Sequence, residues 1–439
     1  MKATIIDAEK HLHWTDVPEI TFADDEVLVE VFAAAMNRAD LLQRAGKYPS
    51  PKGCPEWMGL EIAGKIAKIG AVAQANSNWK VGDRVCALLG GGGYAEFAAV
   101  RYDMLMPVPD NLTLYEAAAI PEVYTTSYLN LFIEGHLQKG QTVYIAAGAS
   151  GIASAAIPMA KAYGCTVVTS VLSDEIAEKI KPLGADYIVN TSKERLADTF
   201  KRLDEEGHPV NVAIDCLAGD MLGESLSYMA EGGYWVLIST LAGVTTEVSL
   251  RPVLTRGLHL VGSMLRKRSK DEKAALLASL VKDIFPFFKD GSLKPSIYKI
   301  LPIQKAEEAH EIMQNGENIG KIVLKVREDI ANKGSRAGYR QVEAAEAKRI
   351  MDTEKDYIIL DVRTEEEYEE GHVPNSVLLP HYEIIERAEK ELPRKDQLIL
   401  VICRRGHRSK TASEILVYLG YTNVVEFGGI NEWTYEIEK

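Results

Sequence analysis

The sequence predicts an α/β protein: a β-rich region joined to a doubly wound parallel sheet, followed by a second, smaller α/β domain. Three observations predict this. The stretch "QTVYIAAGASGIASAAIPMAKAYGCTVVTSV" (141–171) reads as strand, glycine turn, small-residue helix and strand, and further strand and helix patterns alternate after it to about residue 238. Upstream, residues 25–100 are rich in short apolar strands and glycines. Near residue 327 the apolar run "GKIVLKV" (320–326) gives way to a polar segment with Gly334, Ser335 and Gly338, and a helical pattern starts after it. That segment is a plausible linker, leaving about 100 residues for one small domain.

Composition bounds the function. A chain of 439 residues predicts two to three domains, and 46% hydrophobic with 26% charged residues fits a globular protein. A net charge of −13 argues against general binding to nucleic acid or anionic membranes. No run approaches the roughly 18 apolar residues of a membrane span, and "MKATIIDAEKHLHW" has no apolar signal core, so a cytoplasmic protein is expected. The five cysteines, Cys54, Cys86, Cys165, Cys216 and Cys403, are far apart, without CxxC spacing, which points to a reducing compartment.

In the 141–171 unit the strand "TVYIAA" is β-branched and apolar. Gly148 and Gly151 make the turn, and Ala153, Ala155 and Ala156 let the helix pack closely. A helix opening at such a turn presents free N–H groups and the positive end of its dipole, which suits a pyrophosphate. The upstream landmarks are "NRADLLQRAGKYP", "GLEIAGKI", "WKVGDRV", "GGGYAEFAAV" and "EAAAIPEVYTTSY", and "NIGKIVLKV" closes the series. Together they resemble the medium-chain dehydrogenase/reductase superfamily, most of all its zinc-free quinone oxidoreductases, over residues 1–326. The resemblance implies a GroES-like catalytic domain from residues 1–120 and 262–326, a Rossmann domain over 121–261, and NADPH or NADH as cofactor.

Zinc enzymes of that superfamily carry Gly-His-Glu where this chain has Gly59-Leu60-Glu61, and a cysteine ligand in the region held here by Asn37-Arg38-Ala39-Asp40. Leucine offers no ligand atom, and closely spaced thiolates for a structural zinc are absent from the sequence, so no metal is expected and Glu61 is read as structural. A quinone or enone takes up hydride charge through its own conjugation and needs no Lewis acid. By resemblance, Asn37 and Tyr48 line the acceptor pocket and Thr126 lies near the carboxamide. Gly148, Ala149, Ser150, Gly151 and Ile152 form the pyrophosphate turn, and Ser173, Asp174, Leu265, Asn318 and Lys321 are further cofactor contacts. Ser173-Asp174-Glu175 stands where many NADPH-dependent relatives have a serine followed closely by a lysine. Acidic groups repel a 2′-phosphate, so NADPH preference is open, with Lys179, Lys321 or Arg266 as possible compensating cations. Cys216 is read as buried and inert.

In "LVICRRGHRSKTASEIL" (400–416) a strand ends at Cys403, "RRGHR" forms a loop, and a helix follows. Loop amides and the helix N-terminus converge on the thiol, and Arg404, Arg405 and Arg408 add positive charge, an environment that stabilises a thiolate or an anionic persulfide. Residues 338–439 carry 14 Lys and Arg against 21 Asp and Glu, so this basic spot belongs to an acidic domain. Asp361-Val362-Arg363, Glu367-Tyr368, Gly371-His372, Cys403 and Gly428-Gly429 stand in an order that resembles rhodanese domains. The six residues from Cys403 to Arg408 match the sulfurtransferase loop length.

The resemblance implies Cys403 as nucleophile and sulfur carrier. The loop Arg404, Arg405, Gly406, His407 and Arg408 would hold the persulfide and an anionic donor such as thiosulfate, Asp361 and Arg363 would brace the loop, and His407 and His372 would be structural or steering groups. The reading is therefore bifunctional: quinone or enone reduction joined to sulfur transfer. The alternative makes the rhodanese part the working sulfurtransferase or a redox-sensing module, with the reductase part as a nucleotide-binding scaffold. A homodimer is possible on the resemblance alone.

Overall fold

The computed structural model describes residues 1–329 and 339–438. It divides into two compact units, residues 1–327 and 328–439. Of the segment expected as a linker, residues 330–337 lie outside the described residues, as does Gly338. Among the described residues no helix is long and apolar enough to cross a membrane.

The first unit is built on two large sheets. One has seven strands in the order Ile297–Pro302, Lys321–Lys325, Glu26–Ala35, Glu61–Ile69, Arg84–Leu88 and Leu105–Pro107, with Phe97–Arg101 also paired to Glu26–Ala35. Lys321–Lys325 runs antiparallel to Glu26–Ala35, so the end of this unit is laced into its beginning. The other sheet is wholly parallel, in the order Tyr187–Asn190, Thr166–Val171, Thr142–Ile145, Val210–Asp215, Met229–Leu237 and His259–Gly262. Numbered by sequence this is 3-2-1-4-5-6, the doubly wound order, and its switch point lies beside Thr142–Ile145. The glycine turn leaves that strand, placing it at the carboxyl-end crevice where such sheets bind ligands.

Two boundaries differ from the sequence pattern. The stretch "DEIAEKIKPLGA" (174–185) has a helical pattern throughout, but the helix ends at Ile180, because Pro182 cannot continue it. Residues 220–228 split into the helix Asp220–Ser225 and a 3₁₀ turn, and the next strand starts early, at Met229.

The second unit is a five-stranded parallel sheet in the order Tyr339–Gln341, Val424–Gly429, Leu398–Cys403, Tyr357–Asp361 and Ser376–Leu378. "LILVIC" is the central strand, and both its faces are covered. Ile399, Val401 and Cys403 pack into one apolar cluster, Leu400 and Ile402 into another. That double burial is why the strand is a continuous apolar run rather than an alternating one.

Candidate active sites

In the first unit the sheet register gathers a buried polar cluster. Asn37 precedes the short helix Arg38–Arg44 in extended backbone, and its N–H donates to Asp40 Oδ2 at 2.8 Å. Its side-chain Nδ2 donates to Glu61 Oε1 at 2.9 Å, while Lys321 Nζ donates to Asn37 Oδ1 at 2.7 Å. Lys321 also pairs with Glu61 at 2.7 Å and donates to the Met36 carbonyl. The backbone N–H of Glu122 donates to the other Glu61 oxygen at 2.7 Å. Glu61 is fully buried and Lys321 only 3% exposed, so a compact ammonium neutralises a carboxylate that water does not reach.

Proton affinities here are set by burial. Asp40, which also accepts from the Tyr94 hydroxyl, is pushed up to about 6 by burial. Burial and then the charge of Glu61 push Glu122 to about 7. Tyr48 is half-buried, its hydroxyl raised by burial, and the Arg266 guanidinium stacks on its ring 3.4 Å from the centroid while donating to the Pro49 carbonyl.

The glycine turn lies against this cluster. A Cβ added to Gly151 would come within 3.8 Å of Lys321 Cδ and 3.9 Å of Val123. One added to Gly148 would collide with Thr169 and Ile180 at 2.7 Å, so the close approach of turn to sheet requires glycine there. Ser150 Oγ caps the following helix by accepting from Ala153 N–H at 3.1 Å, and Ala149 lies between it and Gly148. The N–H groups of Gly151 and Ile152 donate to no other group among the described residues, which fits an anionic pyrophosphate. Thr126 is half-buried on the helix Pro121–Tyr128.

Other expected cofactor contacts are engaged locally. Ser173 Oγ caps the helix Asp174–Ile180 by accepting from Ile176 N–H. Asn318 donates to the Gly320 carbonyl, and Leu265 packs into the main apolar core. Of the compensating cations named above, Lys179 pairs with Glu175, Lys321 pairs with Glu61, and Arg266 lies on Tyr48. The cation beside Asp174 is instead Lys193, and Asn190 donates to the other Asp174 oxygen at 2.6 Å. Lys193 carries no motif signal, since it follows the strand Tyr187–Asn190 in a turn. Cys216 is half-buried rather than buried, with its thiol pushed up to about 12 by burial and then by Asp215.

In the second unit Cys403 ends the central strand and is 1% exposed. The chain turns through Gly406 at φ +85°, a left-handed conformation that favours glycine, and the helix His407–Tyr418 begins directly after it. Gly406 N–H donates to Cys403 Sγ at 3.1 Å. A Cβ on Gly429 would lie 2.5 Å from the Arg404 carbonyl, so the terminal glycine pair exists to let the loop rest on the neighbouring strand. Cys403, Arg404, Arg405 and Arg408 line a cavity of about 340 Å³.

Around this loop the charges are strongly paired. Arg408 grips Glu367 with two bonds of 2.6 and 2.8 Å, and Arg404 lies 3.5 Å from the same carboxylate. That grip pulls the Glu367 carboxyl down to about 2. Arg405 is exposed and makes no ion pair among the described residues. Asp361 and Arg363 are buried and bonded to each other at 2.7–3.0 Å, and Arg363 also donates to the Gly371 carbonyl at 2.8 Å, tying the loop's floor to the preceding turn. His372 stacks on Tyr368 with ring centroids 3.8 Å apart. The side chain of His407 lies outside the described residues.

Sequence reasoning missed Glu122, Lys193, Ser409 and Glu426 as members of these sites. Only Ser409 carried a local signal, as the residue directly after the arginine loop.

Comparison with known proteins gives three family matches. Residues 23–110 match the alcohol dehydrogenase GroES-like domain, 151–282 the zinc-binding dehydrogenase family, and 343–436 the rhodanese-like domain. The chain is 30% identical over 307 residues to a quinone oxidoreductase-like protein 2 homolog of Nematostella vectensis, covering 69% of this chain and 82% of that protein. It is 30% identical to the quinone oxidoreductase of Sus scrofa over 69% of this chain and 89% of that one. Among solved structures, mycobacterial Rv1454c complexed with NADPH is similar with a TM-score of 0.62 and 25% identity, over 74% of this chain and all of that one.

Proposed function

Since this chain belongs to the quinone oxidoreductases of the medium-chain dehydrogenase/reductase superfamily and carries a rhodanese-like domain after them, we propose that it has two activities. One is zinc-independent reduction of quinones or related activated alkenes by NADPH or NADH. The other is sulfur transfer through a persulfide on Cys403. The observation that carries this reading is that each unit keeps a built reaction centre of its own: the Asn37, Glu61 and Lys321 cluster against the glycine turn, and Cys403 in its arginine-lined cavity.

In the reductase unit a nicotinamide, when bound, would supply the hydride. The N–H groups of Gly151 and Ile152, which donate to no other group among the described residues, would hold its pyrophosphate. Lys321, fixed by Glu61 and Asn37, keeps the polar wall of the pocket in place. Tyr48 and Arg266, stacked together, flank the acceptor. Glu122, its carboxyl pushed up to about 7 by burial, can take up or release a proton near neutral pH. Zinc has no role in this scheme, because Glu61 is engaged by Lys321 and Leu60 offers no ligand atom.

In the second unit the thiolate of Cys403 attacks the outer sulfur of an anionic donor such as thiosulfate, whose S–S bond breaks as sulfite leaves. The Gly406 amide and the arginines favour the negative charge that results. A paired assay on the full-length protein and Cys403→Ala tests the reading, following NADPH and NADH oxidation with a simple quinone and sulfur transfer from thiosulfate to cyanide. Loss of sulfur transfer with quinone reduction retained is the expected result. A wild-type chain inactive in either arm removes that activity from the proposal.

A further inference from the structure

Besides the Gly406 amide, Cys403 Sγ meets the hydroxyl of Ser409 at 3.5 Å. Ser409 Oγ in turn donates to Glu426 Oε1 at 2.6 Å, and the Gly428 N–H donates to the same oxygen at 2.9 Å. Ser409 is fully buried and Glu426 is 3% exposed, so thiol, hydroxyl and carboxylate form a short array whose inner two members are closed off from water, while the thiol lines the cavity. The sulfur-transfer chemistry above does not use its inner two members.

A serine hydroxyl has one proton to donate. Here its acceptors are the Glu426 carboxylate and, at a longer 3.2 Å, the Gly428 carbonyl. The shorter, charge-assisted bond holds the proton, so Ser409 turns lone pairs toward the sulfur. Lone pairs suit an S–H group and do not suit a thiolate. The carboxylate behind the hydroxyl adds to this, because a second buried negative charge on Sγ is disfavoured. A persulfide carries its charge one S–S bond further out, about 2 Å away from Sγ. The arginine-lined cavity is on the loop side of the same sulfur. Of the other titratable groups, Arg408 interacts with Cys403 and also with Asp361, and the Tyr339 hydroxyl, raised chiefly by burial, interacts with Glu426 and Glu414.

We propose that Glu426, acting through Ser409, is a positioning residue that disfavours charge on Sγ of Cys403 and thereby favours the loaded persulfide over the free thiolate. This rests on the sulfur-transfer reading. In the loading step the thiol proton goes to solvent and the Sγ electron pair attacks the outer sulfur of thiosulfate. The thiosulfate S–S bond breaks, sulfite leaves with its electron pair, and Cys403 keeps the transferred sulfur as an anionic persulfide.

The test uses the full-length protein and Glu426→Gln, which keeps an acceptor oxygen for Ser409 and Gly428 and removes only the charge. Iodoacetamide alkylation of Cys403 is followed against pH by peptide mass spectrometry, so that the other cysteines do not contribute. The alkylation limb is expected to move to lower pH by about one unit, making alkylation about tenfold faster below the limb. At about pH 10, above the usual thiol range, a thiosulfate and sulfite mixture is expected to load the variant less than the wild type. Ser409→Ala removes the hydroxyl through which the carboxylate acts, and its limb is also expected to move to lower pH.

A limb that superposes on the wild type or moves to higher pH, in Glu426→Gln or in Ser409→Ala, overturns the proposal. Should Glu426→Gln fail to fold, the Ser409→Ala arm decides alone. A wild-type protein that takes no sulfur from thiosulfate, with the alkylation limb still shifting in Glu426→Gln, removes the sulfur-transfer reading and leaves the charge effect on Cys403 standing.

Discussion

In residues 1–327 the carboxyls of Asp40 and Glu122 are pushed up to about 6 and about 7, while in the following unit the carboxyl of Glu367 is pulled down to about 2. Burial is the leading cause in the first case and a two-bond grip by Arg408 in the second. The contrast separates two kinds of chemistry. A site that keeps its carboxyls near neutrality can hold and release protons, which suits reduction of a conjugated acceptor. A site whose charges are fixed well away from neutrality attracts anions over a wide pH range and holds them without titrating, which suits a sulfur carrier working on anionic donors.

The strongest way to break the comparison is Lys321→Met, which leaves Glu61 buried and unpaired. It is expected to cost about 3–5 kcal/mol of stability in the first unit, measured by denaturant unfolding of the full-length protein. A second change, Glu61→Gln added to Lys321→Met, is expected to restore part of the loss. A single variant as stable as the wild type would mean that the pair carries no such burden.

Next in size is His310, fully buried, with neither ring nitrogen hydrogen-bonded among the described residues and its imidazole pushed down to about 4 by burial. Its folded value lies below its ordinary 6.5, so the unfolded chain binds the extra proton. The stability it permits is present above about pH 6.5 and declines as pH falls toward 4, by about 3 kcal/mol in all. Asp40 and Glu122 have the opposite sign, gaining stability as pH falls through their raised values, so the measurement is the difference from His310→Leu. That difference should change across pH 6.5 to 4 and be flat above it. A flat difference throughout would show that burial does not control this imidazole.

A smaller effect is expected at Asp174. Removing this carboxylate in Asp174→Ala frees Lys193, and the ratio of kcat/KM for NADPH over NADH should rise about tenfold. An unchanged ratio would place the 2′-group elsewhere. The smallest is Glu367→Gln, where the lost pair with Arg408 is partly exposed and should cost about 1 kcal/mol or less. A larger loss on thermal unfolding would show the second unit to depend on that pair as the first depends on Lys321.

Reading the chain alone reached the contiguous parts of both sites. The glycine turn, the Gly59-Leu60-Glu61 departure and the loop from Cys403 to Arg408 were legible because each is a short segment whose backbone and charge are set by near neighbours. The missing parts are long-range. Glu122 meets Glu61 across 61 residues, Ser409 meets Glu426 across 17, and Lys193 meets Asp174 across 19. The partners of Lys321 are long-range in the same way. Lys321 lies 284 residues from Asn37, and only the antiparallel pairing of Lys321–Lys325 with Glu26–Ala35 puts them in one cluster.

The amino-acid sequence by itself determined the alternation of strands and helices, the break near residue 327 and the residue types at each loop. Hydrophobic period, glycine and proline act over a few residues, so these features follow from local chemistry. Only the tertiary structure decided which carboxyls are raised toward neutrality, which loop arginine makes no ion pair among the described residues and what stands behind Cys403. Those properties depend on burial and on the partner that strand order brings within hydrogen-bonding distance, and neither is a property of any one segment of the chain.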